Sequence, residues 1–156
     1  MNISSILIPE NILLGLSSDN RNDVFENMLK VLEERGQIVD SGTIRDKLIE
    51  RESLGSTAFG RGVALPHVRC EETRDITLAL GISDSGVDFS SYDNKPVRLI
   101  AMTLAPPDCG GKYNKILAQW NRLLRNPELR ENLLSARTSD EVWHLIHRKE
   151  NNEGTK

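Results

Sequence analysis

Two apolar runs, Ile76 to Ile82 (ITLALGI) and Val97 to Leu104 (VRLIAMTL), constrain this chain more than any other feature. Both are aliphatic and bounded by turn residues, so both read as β-strands. Helical patterns surround them. Val24, Met28, Val31 and Leu32 recur at i, i+4, i+7 and i+8, with Phe25 and Leu29 widening the face and Gly36 closing it. Ser17, Ser18 and Asp19 offer N-caps for that helix. A second helix opens at Asp40 or Ser41 and runs through Ile44, Leu48 and Ile49 to about Arg51. Ile116, Leu117, Trp120, Leu123 and Leu124 mark a third apolar face. Asn126-Pro127 then restarts the chain, and Thr138 to Glu141 forms a capping box before Val142, Leu145 and Ile146. Ile12 to Leu16 and Val63 to Leu65 are shorter strand candidates, the second stopped by Pro66. Strands mixed with helices over 156 residues predict a single α/β domain, a central, partly parallel mixed sheet flanked by helices. Residues 1–150 are expected to form it, leaving 151–156 as a polar tail.

Charge and cysteine usage narrow the function classes. The net charge of −3 comes from interleaved acids and bases with no basic stripe, which argues against a nucleic-acid surface. No apolar run is long enough to span a bilayer, so no membrane insertion is expected. The N-terminus lacks a basic region and cleavage site. Cys70 and Cys109 form no CxxC pair and no disulfide framework. A cytoplasmic protein is the expectation.

Chemistry concentrates in Leu54 to Cys70, LGSTAFGRGVALPHVRC. Gly55 to Gly60 has P-loop spacing, but Arg61-Gly62 stands where lysine and a hydroxyl residue are required, so phosphate and Mg²⁺ ligands are missing. A metal or thiol centre could draw on His67, Cys70 and Cys109, or on Glu141, His144 and His147, but neither set has the four converging ligands of a zinc site. No metal and no other cofactor is expected. The remaining reading is a nucleophilic histidine. Imidazole keeps a neutral, attacking nitrogen near neutral pH and can form a covalent phosphoenzyme. Pro66 fixes the backbone on which His67 leaves the strand. Glycine amides, the cations Arg51, Arg61 and Arg69, and the hydroxyls of Ser56 and Thr57 are candidates to surround the transferred group.

The run LIERESLGSTAFGRGVALPH resembles the active-site segment of the fructose/mannitol-type enzyme IIA domain of the bacterial phosphotransferase system, a family that includes the nitrogen-regulatory IIA proteins. The likeness extends from the ILLGL strand through GVDFSSYDNKPVRLIAMTLAPPD to the SDEVWHLI helix. It implies an α/β domain whose histidine accepts a phosphoryl group from the carrier HPr or its nitrogen-branch relative. Carried over, His67 is the phosphoacceptor, framed by Arg51 and Thr57.

Three positions depart from the family pattern. Tyr113, or a neighbour if the Gly110-Gly111 loop shifts the match, stands where a second histidine is usual; Arg61 replaces an asparagine between glycines, and Val68 replaces a glycine after the histidine, tightening the rim. A tyrosine donates a hydrogen bond to a phosphoryl oxygen but does not share positive charge. Within these 156 residues no IIB or IIC segment is expected. The resemblance therefore implies a regulator of the nitrogen type that binds a protein target according to its phosphorylation state. The alternatives are a sugar-uptake IIA passing phosphate to a IIB domain in trans, or an interaction domain that has lost phosphotransfer.

Overall fold

A computed structural model of the chain describes residues 2–154. Two short 3-10 turns, Ile3–Ser5 and Pro9–Asn11, precede β1 (Ile12–Leu16), α1 (Arg21–Glu34) and α2 (Ser41–Ser53). Then come β2 (Ala58–Gly60), β3 (Val63–Ala64), β4 (His67–Arg69), β5 (Thr77–Val87) and β6 (Val97–Ala105). Three helices follow: α3 (Lys112–Leu124), α4 (Pro127–Ser135) and α5 (Ser139–Gly154). The strands form one mixed sheet in the order β1-β5-β6-β3-β2, with β4 also paired to β6. β1 with β5, and both β3 and β4 with β6, are parallel; β5 with β6 and β2 with β3 are antiparallel.

Alternation along the two long strands explains the layers. Leu78, Leu80, Ile82, Leu99 and Ala101 face a core with Ile116, Trp120, Leu123, Leu133 and Val142, under α3, α4 and α5. Ala79, Ile100, Met102 and Leu104 face the other core, with Val24, Phe25, Met28, Leu32, Ile44 and Leu48 of α1 and α2. Period-2 side chains of a sheet thus meet the apolar stripes of helices on both faces. Each large aliphatic side chain so buried stabilises the fold by roughly 1.5–3 kcal/mol. Gly81 permits the close approach of α1: a Cβ there would lie 2.6 Å from Leu16 Cδ1 and 3.1 Å from Met28 Sδ.

The helix boundaries refine the sequence reading. Asn20, rather than Ser17 to Asp19, caps α1 by accepting from Asn22 N and Asp23 N. Asp40 caps α2 and Asn126 caps α4. Thr138 Oγ1 accepts from Glu141 N, while the Glu141 carboxylate reaches back to Arg137 N, one residue earlier than in the expected box. α5 continues to Gly154, so Asn151 to Gly154 are helical rather than a loose tail; Thr155 and Lys156 lie outside the described residues.

The strand carrying the histidine is the main correction. It does not stop at Pro66; pairing with β6 resumes at His67. Val63 pairs with Leu99, Ala64 with Ile100, His67 with Thr103 and Arg69 with Ala105, so the register offset is unchanged across Leu65-Pro66. Leu65 N donates to Thr57 O on the β2 side, so the N–H that proline lacks is the one that would have faced β6. The carbonyl of Pro66 still accepts from Thr103 N at 3.0 Å. Because register is kept, so is parity. Val63 and Leu65 belong to the core under α3, Ala64 and Val68 to the opposite one. His67 and Arg69 therefore project toward α3.

Candidate functional site

His67 is half-buried, and its Nδ1 lies 2.6 Å from the carbonyl oxygen of Leu65. A carbonyl can only accept, so Nδ1 carries the proton and Nε2 keeps its lone pair. The tautomer of His67 is fixed by the break in the strand two residues earlier.

Parity brings Tyr113, the second residue of α3, beside it. The two ring centroids are 6.0 Å apart. The guanidinium carbon of Arg69 stands 4.8 Å from the Tyr113 ring centroid, and Arg69 Nη1 donates to Pro107 O at 3.1 Å. Burial pushes the Tyr113 phenol up to about 12, against the opposing pull of the Arg69 and Arg51 charges. It is thus a neutral O–H donor at any ordinary pH. Arg51, in the last turn of α2, joins the site from the opposite face, with Nη1 bonded to Gly55 O at 3.0 Å.

Thr57 is held by Glu52, a carboxylate only 5% exposed. The Thr57 hydroxyl and amide both donate to that carboxylate, and its carbonyl accepts from Leu65 N. Ser56 is engaged elsewhere: its hydroxyl donates to Phe89 O at 2.6 Å and accepts from Ala58 N at 3.1 Å. It staples the loop to the β5–β6 connection rather than offering a free donor.

Arg61 does not reach His67. It sits in the β2–β3 turn at φ 60°, with its amide bonded to Asp93 Oδ2 at 3.0 Å. Four residues of extended strand, about 13 Å, separate Val63 from His67, and Arg61 lies beyond Val63. Its charge is felt by Arg130, whose guanidinium is held below its ordinary value first by burial and then by Arg61. Val68 packs against the core on the opposite face, so it does not narrow the rim above His67. The backbone amides left without a partner beside Tyr113 also come from a different place than the glycine segment. Gly62 uses its carbonyl to accept from Arg98 N and Leu99 N. Beside Tyr113, by contrast, the α3 N-terminus begins at Gly111 with no side-chain cap, leaving its first N–H groups facing outward.

Sequence reasoning missed two contributors. Thr103, fully buried, is the register partner of His67 on the same face, and its Oγ1 has no hydrogen-bond partner. A cleft of about 530 Å³ opens between His67 and α3, lined by Leu65, Leu117, Ala118, Asn121, Arg122 and Arg125. The helical period could have put the last four of these on one face of α3, but nothing in the sequence placed that face against His67. Among the described residues no group of three or more His, Cys, Asp or Glu is placed to hold a metal. Cys70 is buried, and burial, followed by Glu72, pushes its thiol up. His144 and His147 pack on Trp143, and His147 Nδ1 is 3.1 Å from Ser4 Oγ. No helix among the described residues is long and apolar enough to cross a membrane.

An imidazole with its Nδ1 bonded to a carbonyl, arginines, a neutral phenol and uncapped helix amides meet on a mixed α/β sheet, a donor set that suits a phosphoryl group. The family model for the phosphoenolpyruvate-dependent sugar phosphotransferase system, EIIA 2, matches residues 5–149, and the chain belongs to that family. It is 31% identical over 147 residues to a nitrogen regulatory protein of Bradyrhizobium diazoefficiens, covering 94% of this chain and 95% of that protein. It is 30% identical over 147 residues to a PTS system fructose-specific EIIABC component of Bacillus subtilis, where the match takes 94% of this chain but spans only 23% of the relative. The crystal structure of nitrogen regulatory protein IIA-Ntr from Neisseria meningitidis superposes with a TM-score of 0.85 at 30% identity, covering 92% of this chain and 98% of that one. A complex of enzyme IIA mannitol and phosphorylated enzyme IIB mannitol from Escherichia coli shares the fold, with a TM-score of 0.77 at 19% identity, covering 90% of this chain and 96% of that one.

Proposed function

We propose that this chain is a phosphocarrier that accepts a phosphoryl group on Nε2 of His67 from an HPr-type protein and acts as a regulator of the nitrogen type. The observation that carries this reading is the 2.6 Å bond from Nδ1 to Leu65 O, which fixes one nitrogen as donor and leaves the other as nucleophile. In the transfer, the Nε2 lone pair attacks phosphorus. The P–N bond of the donor phosphohistidine breaks, and its electron pair returns to the donor imidazole. The His67 Nδ1 proton stays in place, directed at a carbonyl that cannot take it. The ring is then positive while phosphorylated, which keeps the P–N bond reactive for onward transfer. The transition state is loose, so positioning and charge on the equatorial oxygens matter most. Arg51, Arg69, the Tyr113 hydroxyl and the first amides of α3 stabilise that charge. Thr57, held by Glu52, sets the loop against Leu65.

Two things favour a regulator over a sugar-uptake component: the 0.85 superposition on a nitrogen regulatory IIA, and Tyr113 in place of a second imidazole near His67. Phosphorylation would add roughly two negative charges at the mouth of the cleft and change docking of a target protein. The sugar-uptake reading rests on the likeness to the Bacillus fructose component and would make a IIB domain the acceptor.

The test is incubation with phosphoenolpyruvate, enzyme I and the HPr-type protein, followed by intact mass. One acid-labile phosphate is expected, and none on His67→Ala. Failure of every HPr-type donor to modify the protein would leave an interaction domain instead. Transfer of the label to a IIB domain, at a rate matching its formation, would favour sugar uptake.

A further inference from the structure

The phosphocarrier reading leaves a run of positive charge on α3 without a role. That helix, KYNKILAQWNRLL, carries Lys112, Lys115 and Arg122, is followed by Arg125, and contains no carboxylate. Arg122 and Arg125 are exposed and line the His67 cleft. Beyond them, Arg130 Nη1 donates to the carbonyls of Leu124 and Arg125, and Arg61 stands near enough for its charge to act on Arg130. Arg69 and Arg51 thus act on Tyr113 at the N-terminal end of α3, Arg122 and Arg125 line the cleft, and Arg61 acts on Arg130 beyond the helix's C-terminal end.

Among the described residues no carboxylate lies within ion-pair distance of this strip, although Glu153 borders a cleft that Arg122 shares. Among the described residues the ion pairs involve Arg45 and Lys47 only. Asp93 accepts the Arg61 amide, and Glu131 lies near Arg130. Glu150 and Glu153 border a second cleft that Arg122 and Lys115 share. Glu150 is occupied by Ile3 N, Ser4 N and Gln119. On a chain of net charge −3, the strip is a local reversal of sign. Its position matters as much as its charge. Nine and twelve residues of helix separate Arg122 and Arg125 from Tyr113, about 14 and 18 Å along the axis. They line the cleft that leads to His67, toward the end of α3 far from Tyr113.

We propose that Arg122 and Arg125, with Arg61 at the far end, form the docking surface for a phosphoryl-donor protein whose contact face is acidic. The proposal rests on the phosphocarrier reading and specifies which HPr-type carrier the site selects. A positive strip beside the nucleophile steers an acidic donor and orients it, and guanidinium forks pair with its carboxylates. A donor with a basic face is rejected by the same charges.

The test compares two phosphoryl donors on wild type and on the charge-reversed protein, Arg122→Glu with Arg125→Glu. One donor is the phosphorylated HPr-type protein. The other is phosphoramidate, a small molecule that needs no docking surface. The variant is expected to lose about tenfold or more in kcat/KM with the protein donor, with the salt dependence of the wild type flattened. Its rate with phosphoramidate should stay within about twofold, since a site at phosphorus would be felt by both donors alike. Arg61→Glu should give a smaller loss of the same kind. Equal loss with both donors would overturn the proposal by moving these arginines to the phosphoryl group. No loss with the protein donor would overturn it outright. Arg122→Gln with Arg125→Gln, expected to show an intermediate loss, guards against misfolding of the reversed protein. If His67 takes phosphate from neither donor, the phosphocarrier reading fails. Docking is then read separately, by binding of the unphosphorylated HPr-type protein to wild type and variant: weaker binding to the variant supports the surface, and equal or absent binding refutes it.

Discussion

The two ends of the strand formed by β3 and β4 look alike in sequence and behave differently. Gly60-Arg61-Gly62 at one end and Leu65-Pro66-His67 at the other are both irregular, and both have arginine nearby. At the glycine end the backbone is engaged in structure. The Arg61 amide is bonded to Asp93, the Gly62 carbonyl accepts from two amides, and Gly60 at φ 94° lies under the Tyr92 ring. At the proline end the same economy leaves a remainder: Nδ1 is bonded to Leu65 O, while Tyr113 stands beside the ring with Arg69 over it and the Arg51 charge acting on it. What separates a structural turn from a reactive one is which polar groups are left over once the backbone is satisfied.

That contrast can be broken most sharply at the two side chains. His67→Ala should abolish phosphoryl acceptance from either donor, read by intact mass. Arg61→Ala should leave acceptance from phosphoramidate within about twofold, because Arg61 lies beyond Val63 at the other end of the strand. A large loss with Arg61→Ala would put both ends in one site.

Gly60→Ala tests the structural side. A Cβ there would sit 2.8 Å from the Tyr92 ring at a φ that side chains rarely adopt, and a loss of about 2 kcal/mol in denaturant unfolding is expected. The phosphoryl stoichiometry of the folded protein should be unchanged.

Glu52→Gln probes the link between loop and nucleophile. Glutamine offers one acceptor oxygen where Thr57 uses two, so about 1–2 kcal/mol of stability should go. The rate of phosphoryl acceptance should fall several-fold as Thr57 loosens beside Leu65. A stability loss without a rate change would make Glu52 a fold residue only.

The smallest effect is a pH slope. The Tyr113 phenol is raised from 10.0 to about 12, so between those values the folded state holds a proton that the unfolded state has released. Stability from this source is complete below pH 10 and is lost as pH rises through 12. Tyr113→Phe should therefore show a flatter decline over that window in unfolding titrations. An unchanged slope would remove Tyr113 from the buried ring cluster.

Much of the architecture was legible. The apolar runs became β5 and β6, extended by a few residues, and the amphipathic faces became α1, α2 and α3. β2 and β4 were missed because three-residue strands have too short a period to register, and α5 took in residues expected to be a tail. Of the site residues expected, Tyr113 falls beside His67, the Arg51 charge acts on Tyr113, and Thr57 is bonded to Leu65 two residues before the histidine. Arg61 and Ser56 have local roles that only their partners Asp93 and Phe89 reveal. Thr103 is a strand residue like any other until β4 pairs with β6.

By itself the sequence determined local conformation: where chain becomes strand or helix, and that a proline would interrupt the approach to a histidine. Such features follow from periods of two and 3.6 residues and from the fixed φ of proline, all of which act over a few positions. Tertiary structure decided which face His67 occupies and which cations it meets. Unbroken register across Pro66 set its parity, and the crossover from β6 to α3 brought Tyr113, Arg122 and Arg125 to that face. Those are pairings between segments dozens of residues apart, fixed by burial of both sheet faces at once, and no local pattern encodes them.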